Sequence, residues 1–300
     1  MPVKAMQEYL FKPLAMFDTN FNMVSPIPGD RAAPHGIGKD GDVVLAPMAL
    51  NYSSQAFRPA GGAWTSVHDL ALFLQFEARA GKLEDGKQWI SEVNVLARRQ
   101  PQIVTGLDSA YGMGLGINQK LGIQSLNHSG SLFGYNSTIY LIPESGIGLV
   151  AMSNAEQGMG LLNLAVRRLL ELTYEAKPQA LASLSQLREQ VKNDSKEKRA
   201  SVLSGDRGLY QHLAKRYSNP MLGSLTIRSQ GQYRIFDFGD WQTRVIGHKD
   251  ASGKITFSGI DATTDFVDFQ FLKTAKSSSI VVEIGQERYQ FDAESNENKR

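Results

Sequence analysis

Asn127-His128-Ser129-Gly130-Ser131 is the stretch of this 300-residue chain whose residue types could act together chemically. It sets an imidazole, a hydroxyl and bare backbone side by side, and Gly134-Tyr135-Asn136 follows closely. A short strand ending in His-Ser-Gly can pair with an extended substrate and hold its carboxylate or carbonyl. Its backbone N–H groups can serve as oxyanion donors. The same letters also make an ordinary strand-end turn. The other candidates are weaker. With five histidines, no cysteine and no His-x-x-x-His pair, the chain does not read as a metal enzyme. His35, His68, His212 and His248 stand alone and read as surface or packing residues. Gly112-Met113-Gly114-Leu115-Gly116 lies in a strand-like run with no following Lys-Ser or Lys-Thr, so it is not a phosphate cradle. Glycine there lets another backbone or a ligand approach. No cofactor is implied.

The elements that must position His128 are strands. Residues 111–117, 124–131, 137–142 and 147–153 alternate with period two, and Pro143-Glu144-Ser145-Gly146 is a hairpin turn between the last two. This is an antiparallel run, not a βαβ pattern. Residues 2–14 read as a short amphipathic helix ended by Pro13. Residues 18–62 are irregular and punctuated by proline, either lining a cleft or making a packed excursion. A helix opens at Ser66, with Asp69 three residues on as in a capping box, and Gly81 closes it. Ser91-Glu92 starts another, ending near Pro101. Residues 158–176 form a strong helix that would pack on the sheet.

Pro178 breaks that helix. Leu181, Leu184, Leu187 and Val191 predict a second one, followed by a polar run, Lys192–Arg199, read as a solvated helix end or linker. Beyond a boundary near residue 200, about seven short alternating strands predict an all-β sandwich or barrel. The fold class is therefore α+β. Residues 1–176 carry the antiparallel sheet and its helices, 177–204 a helical or polar linker, 205–293 the all-β domain and 294–300 a frayed tail.

Composition narrows the function. Hydrophobic residues make up 42% of the chain and charged residues 21%, as in an ordinary globular protein. A net charge of +2 is too small to argue for nucleic acid or an anionic membrane as the main partner. The lack of cysteine removes disulfides, thiol nucleophiles and cysteine-based zinc sites. No stretch reaches the roughly 18 apolar residues of a membrane-spanning helix. The N-terminal MPVKAMQEYLFKPLAMF has no apolar core of the signal-peptide type and reads as the interior of a folded domain.

Several motifs in order then point one way. Residues 9–19 resemble a "PLGM-x-x-T" segment, with Ala15 in place of glycine. Residues 60–71 resemble an "AGG" turn, a hydroxyl pair and a "DLA" helix start, and residues 111–116 a "YG-x-G" strand. Asn127–Gly130, Gly134-Tyr135, Pro143–Gly146 and Val150–Asn154 follow. Together they resemble the serine β-lactamase-like family: class C β-lactamases, penicillin-binding D-Ala-D-Ala carboxypeptidases, D-aminopeptidases and related esterases. The resemblance covers about residues 3–175, and residues 210–292 resemble a β-domain appended to some of these hydrolases.

That resemblance implies a His-x-Gly edge strand, with His128, Ser129 and Gly130 at its three positions and the backbone N–H of Ser131 as one oxyanion donor. A side chain at Gly130 would block a substrate lying along the strand. The substrate would be a small molecule or peptide. An export signal farther upstream would make the protein periplasmic or secreted.

The same resemblance exposes a gap. The family nucleophile is the serine of a Ser-x-x-Lys helix, where one turn places lysine beside serine to activate it, and a Tyr-x-Asn motif follows. Both precede the "PLGM" segment, which here begins at Tyr9. Ser195-Lys196-Glu197-Lys198 and Tyr217-Ser218-Asn219 match by letters only, after the whole resembling region. The chain thus reads as the C-terminal part of such a hydrolase, with no catalytic residue assigned. It is alternatively a non-catalytic binding protein, or one half of a two-chain hydrolase whose other chain supplies the nucleophile. The apolar faces of residues 3–10 and 67–74 are expected to lack partners.

Overall fold

The computed structural model of the chain describes residues 2–21, 31–53, 60–120, 122–274, 277–284 and 286–294. They fall into two compact units, one drawn from residues 1–31 and 54–187, the other from 32–53 and 188–300. The chain opens with α1 (Pro2–Met6), which widens into a π-type turn over Gln7–Phe11. Phe11, Leu14 and Met16 bury with Phe76 in a small core of the first unit. The irregular stretch that follows holds a hairpin, β1 (His35–Ile37) and β2 (Val43–Leu45), and a short helix, α2 (Ala49–Ser53), all in the second unit.

The first unit resumes with α3 (Val67–Ala78) and α4 (Glu92–Arg98). Ser66 caps α3 as its sequence predicts, its Oγ accepting the Asp69 N–H at 3.1 Å. Six strands follow: β3 (Ile103–Gly106), β4 (Ser109–Tyr111), β5 (Gly116–Lys120), β6 (Ile123–Leu132), β7 (Tyr135–Ile142) and β8 (Ile147–Ser153). They form one antiparallel sheet in chain order. Tyr111–Ile117 is not one strand. The chain bends between β4 and β5, where the Gly112 N–H donates to the Leu115 carbonyl at 2.8 Å and Gly114 takes φ +77°. Gly112 lies so close to the Arg98 carbonyl that an added Cβ would stand 2.2 Å from it, so the glycine serves a backbone approach.

Leu74 of α3 packs on Leu115, Ile117, Leu126, Ile139 and Leu141 of the sheet, with Leu70 and Phe73 alongside. The face of residues 67–74 therefore has its partner, contrary to expectation, although Val67 itself is exposed. On the α1 side Val3, Met6 and Tyr9 do remain exposed. After β8 comes α5 (Met159–Thr173). Gly158, just before it, abuts Ser153 and Asn136, so α5 starts on the sheet face opposite α3.

Next, α6 (Gln179–Ser204) runs 26 residues. The polar run 192–199 stays helical because it holds no glycine or proline and supports itself with pairs such as Lys192 to Glu189 at 2.6 Å. No described helix is long and apolar enough to cross a membrane.

The β-rich part of the second unit is a closed antiparallel barrel: β9 (Arg216–Asn219), β10 (Gly223–Gln230), β11 (Tyr233–Asp237), β12 (Gln242–Lys249), β13 (Ile255–Gly259), β14 (Asp268–Lys273), β15 (Ser278–Ile284) and β16 (Glu287–Ala293). Seven strands are legible by alternation. The eighth, β9, is four residues long and stops before Pro220, yet it closes the barrel by pairing Tyr217 with Ala293 and Ser218 with Asp292. Closure removes both sheet edges. The interior is packed: Tyr217, Leu225, Phe236, Phe257 and Phe269 are wholly buried. A 3-10 turn, Arg207–His212, adds Leu209 and Tyr210 to this core. Burial pushes the Tyr210 phenol above its ordinary range, and its hydroxyl donates to the Val245 carbonyl at 2.5 Å.

Candidate functional site

β6 outruns its neighbour. The last pair between β5 and β6 is Gly116 with Asn127, whereas pairing of β6 with β7 continues from His128–Ile139 to Leu132–Tyr135. Among the described residues, no strand pairs with the other edge of His128–Leu132. His128 through Ser131 are all solvent-exposed. Such an edge presents backbone N–H and C=O groups to an extended chain.

Strand alternation then sorts the four predicted residues. His128 and Gly130 stand on one face, in register with Ile139 and Ser137, and this is the face that α3 covers through Leu74. Ser129 and Ser131 stand on the other, where Ser129 Oγ and Thr138 Oγ1 share a hydrogen bond of 3.1 Å. The imidazole and the Ser129 hydroxyl therefore do not meet. What meets His128 is Tyr111: its hydroxyl lies 3.1 Å from Nε2, with ring centroids 6.3 Å apart. A Cβ at Gly130 would stand 2.8 Å from Ser137 Oγ.

The remaining motifs gather around this edge through contacts that spacing does not reveal. Trp64 sets its ring edge-on to Tyr135 at 5.4 Å, beside the turn between β6 and β7, and the Arg31 guanidinium lies 4.8 Å over the indole. Backbone bonds of 2.9 and 2.8 Å tie Asn20 to Trp64. The Asp69 carboxylate, 1% exposed, accepts the Asp18 N–H and the Thr19 hydroxyl through Oδ2, each at 2.8 Å. His68 Nδ1 lies 3.2 Å from its Oδ1, and Thr19 Oγ1 is 2.8 Å from Thr65 Oγ1. The "PLGM-x-x-T"-like segment is thus fastened to the start of α3 by one buried carboxylate. Asp69 does not reach back as the acidic half of a capping box. Trp64, Tyr111, Thr19 and Asp69 all lie within the quoted motifs, but only their contacts assign them positions around the edge.

The letter matches elsewhere dissolve. Lys198 Nζ donates to Asp265 Oδ2 at 2.8 Å and to the Gly259 carbonyl at 3.0 Å, so it is paired away from Ser195. Tyr217 is barrel core, and Asn219 Oδ1 accepts the Met221 and Leu222 N–H groups of a turn. Among the lone histidines, His212 stacks on Phe271 at 6.2 Å and His248 Nε2 lies 3.4 Å from Ser201 Oγ.

An antiparallel sheet thus lies between helices, and among the described residues its β6 leaves the His128–Leu132 edge unpaired. The Beta-lactamase family model matches residues 3–173, more than half of the chain, and the chain belongs to that family. Similar solved structures include the octameric penicillin-binding protein homologue from Pyrococcus abyssi, at 18% identity and a TM-score of 0.48 over 97% of this chain and 59% of that one. SurE is 18% identical with a TM-score of 0.45, over 96% of this chain and 62% of that one. The penicillin-binding protein from Bacillus halodurans is 17% identical with a TM-score of 0.41, over 51% of this chain and 44% of that one. The chain thus spans less than two thirds of the length of each of these proteins. No curated protein matches it.

Proposed function

We propose that this chain is the C-terminal portion of a β-lactamase-like serine hydrolase. The whole enzyme hydrolyses an amide or ester through an acyl-serine, and these 300 residues supply the substrate groove without the nucleophile. The observation that carries the reading is the open, exposed edge of β6 from His128 to Leu132 on a sheet of the Beta-lactamase family. An extended substrate lies along that edge, and His128, held by Tyr111, meets its carboxylate or carbonyl. The Ser131 N–H is one of the donors that stabilise the tetrahedral oxyanion formed when serine attacks. Collapse of that intermediate breaks the C–N or C–O bond and expels the amine or alcohol, which carries off the serine's proton, and water then hydrolyses the acyl-serine to the free acid. The serine and its activating lysine come from polypeptide outside these residues, because the one Ser-x-x-Lys here has its lysine bound to Asp265.

Purified chain should take up neither fluorescent penicillin nor fluorophosphonate, and stoichiometric labelling would overturn the missing nucleophile. Binding of a D-Ala-D-Ala peptide, followed by NMR, tests the groove separately. Gly130→Val should weaken it at least about tenfold, the equivalent of roughly 1.4 kcal/mol. Unchanged binding would place the groove elsewhere.

A further inference from the structure

The barrel is closed, and each of its eight strands pairs on both sides. One seam nevertheless opens at its end. The ladder between β11 and β12 runs from Asp237–Gln242 to Arg234–Val245 and stops there, although β12 continues to Lys249. The 3-10 turn Arg207–His212 and its cap residue fill the opening. The Tyr210 hydroxyl donates to the Val245 carbonyl, and the Asp206 N–H donates to the Gly247 carbonyl at 2.8 Å.

Two guanidiniums meet the turn at this place. Arg234 shares the alternation of Phe236, a core residue, and so turns toward the barrel interior, where it lies 5.1 Å over the Tyr210 ring. Arg207 precedes Tyr210 by three residues, on the same side of a 3-10 turn, and lies 5.3 Å over the Tyr233 ring. Both arginines are half-buried. Burial raises the Tyr210 phenol, while Arg207 and then the N–H and guanidinium of Arg234 act the other way, so both charges bear on one hydroxyl.

The other arginines of the barrel have counter-charges: Arg216 has Glu294, Arg228 has Asp237, Arg244 has Asp261 and Arg288 has Glu283. Among the described residues, no carboxylate pairs with Arg207 or Arg234. Asp206, beside Arg207 in the chain, turns its Oδ1 to the Gly208 N–H at 2.7 Å. Arg207 Nε is buried and has no acceptor among the described residues. The Arg234 guanidinium reaches only the Tyr233 carbonyl, at 3.5 Å. A buried donor without a partner and two like charges near one another are both costly. Stacking on a phenol fixes a guanidinium but leaves its N–H edge free. That edge matches the oxygens of a carboxylate or phosphate, and phosphate also matches the double charge.

We propose that the opening between β11 and β12 is an oxyanion site in which Arg207 and Arg234 together bind a phosphate group. The site lies wholly within the second unit and does not depend on the acyl chemistry proposed above.

The test titrates inorganic phosphate into the full chain at fixed ionic strength, followed by NMR. Binding should saturate with a Kd of about 1 mM or tighter and shift the Arg207 Nε–H signal. Acetate, with a single charge, should bind at least about tenfold more weakly. Arg207→Gln and Arg234→Gln should each weaken phosphate at least about tenfold. Arg228→Gln removes an equal charge, already paired with Asp237, and should leave binding unchanged. Tighter binding of O-phosphoserine than of the free ion supports the site with a phosphate ester as its ligand, and weaker binding supports it with the free ion. Phosphate that does not saturate overturns the proposal, as does an Arg207 Nε–H signal that stays still while phosphate binds. An equal loss in Arg228→Gln also overturns it, since that marks general attraction to basic residues. Acetate binding as tightly as phosphate overturns phosphate as the ligand. The wild-type titration decides even where a glutamine variant fails to fold.

Discussion

Replacing Glu77 by alanine should cost the first unit about 3–5 kcal/mol. Glu77 sits in α3 at 1% exposure, yet it is a carboxylate, and it survives there because two guanidiniums surround it. Arg98 Nη1 donates to Oε2 at 2.9 Å and Arg99 Nε to Oε1 at 3.2 Å. Arg99 Nη2 also donates to the Glu77 backbone carbonyl. One acidic side chain thereby ties α3 to α4, and α4 leads directly into β3. Removing the carboxylate strands Arg99, only 8% exposed, without its counter-charge, and an unpaired buried charge is what makes such losses large. Replacing all three residues with apolar ones of similar volume should cost much less than the single change, since nothing charged is then left behind. The measurement is urea unfolding in a Trp241→Phe background, where Trp64 and Trp89 report on the first unit alone. A loss under 1 kcal/mol would show that water reaches the cluster.

The buried pairing around Glu77 marks where sequence reading stops. Helix and strand periods come from local alternation, so α3, α5, the hairpin at Pro143–Gly146 and seven barrel strands are all legible. The Ser66 cap is legible too, because capping is a contact across three residues. Glu77 to Arg99 spans 22 residues, and Asp69 to Thr19 spans 50. No period or motif encodes such partners: Glu77 reads in the sequence as an ordinary polar helix position, and Asp69 as the acidic half of a capping box rather than as the acceptor of Thr19. The candidate site divides in the same way. His128 and Gly130 can be picked out by type and alternation puts them on one face, but the end of β5 pairing at Asn127, which leaves their edge open, is a long-range feature that no local pattern records. Tyr111 reaches His128 only because the chain bends at Gly112, within a stretch whose alternation mimics an unbroken strand. β9 escapes for a different reason: four residues are too few for alternation to register, and closure of the barrel, a long-range pairing, is what makes them a strand.

Asp69→Ala is expected to destabilise the first unit by about 3 kcal/mol and to loosen the wall of the groove at the same time. Two donors lose their acceptor, the Asp18 N–H and the Thr19 hydroxyl, and a buried donor left unsatisfied costs about 1–3 kcal/mol. Thr19 is 3% exposed, so water does not replace the carboxylate there. Asp69→Asn keeps one carbonyl oxygen for both donors and loses only the charge assistance, so its cost should be about 1 kcal/mol. That ordering separates hydrogen bonding from simple packing, which would penalise the two variants in proportion to volume. The groove effect follows from connectivity. Thr65 shares the Thr19 hydroxyl, and Trp64 beside it holds Tyr135 at the end of β6 and β7. Asp69→Ala should therefore shift the Trp64 indole signal by NMR while the Tyr111–His128 contact, carried by β4 and β6, keeps its own. Were both signals to move together, the wall and the edge would be one cooperative piece, and Asp69 would hold the whole groove rather than one side of it.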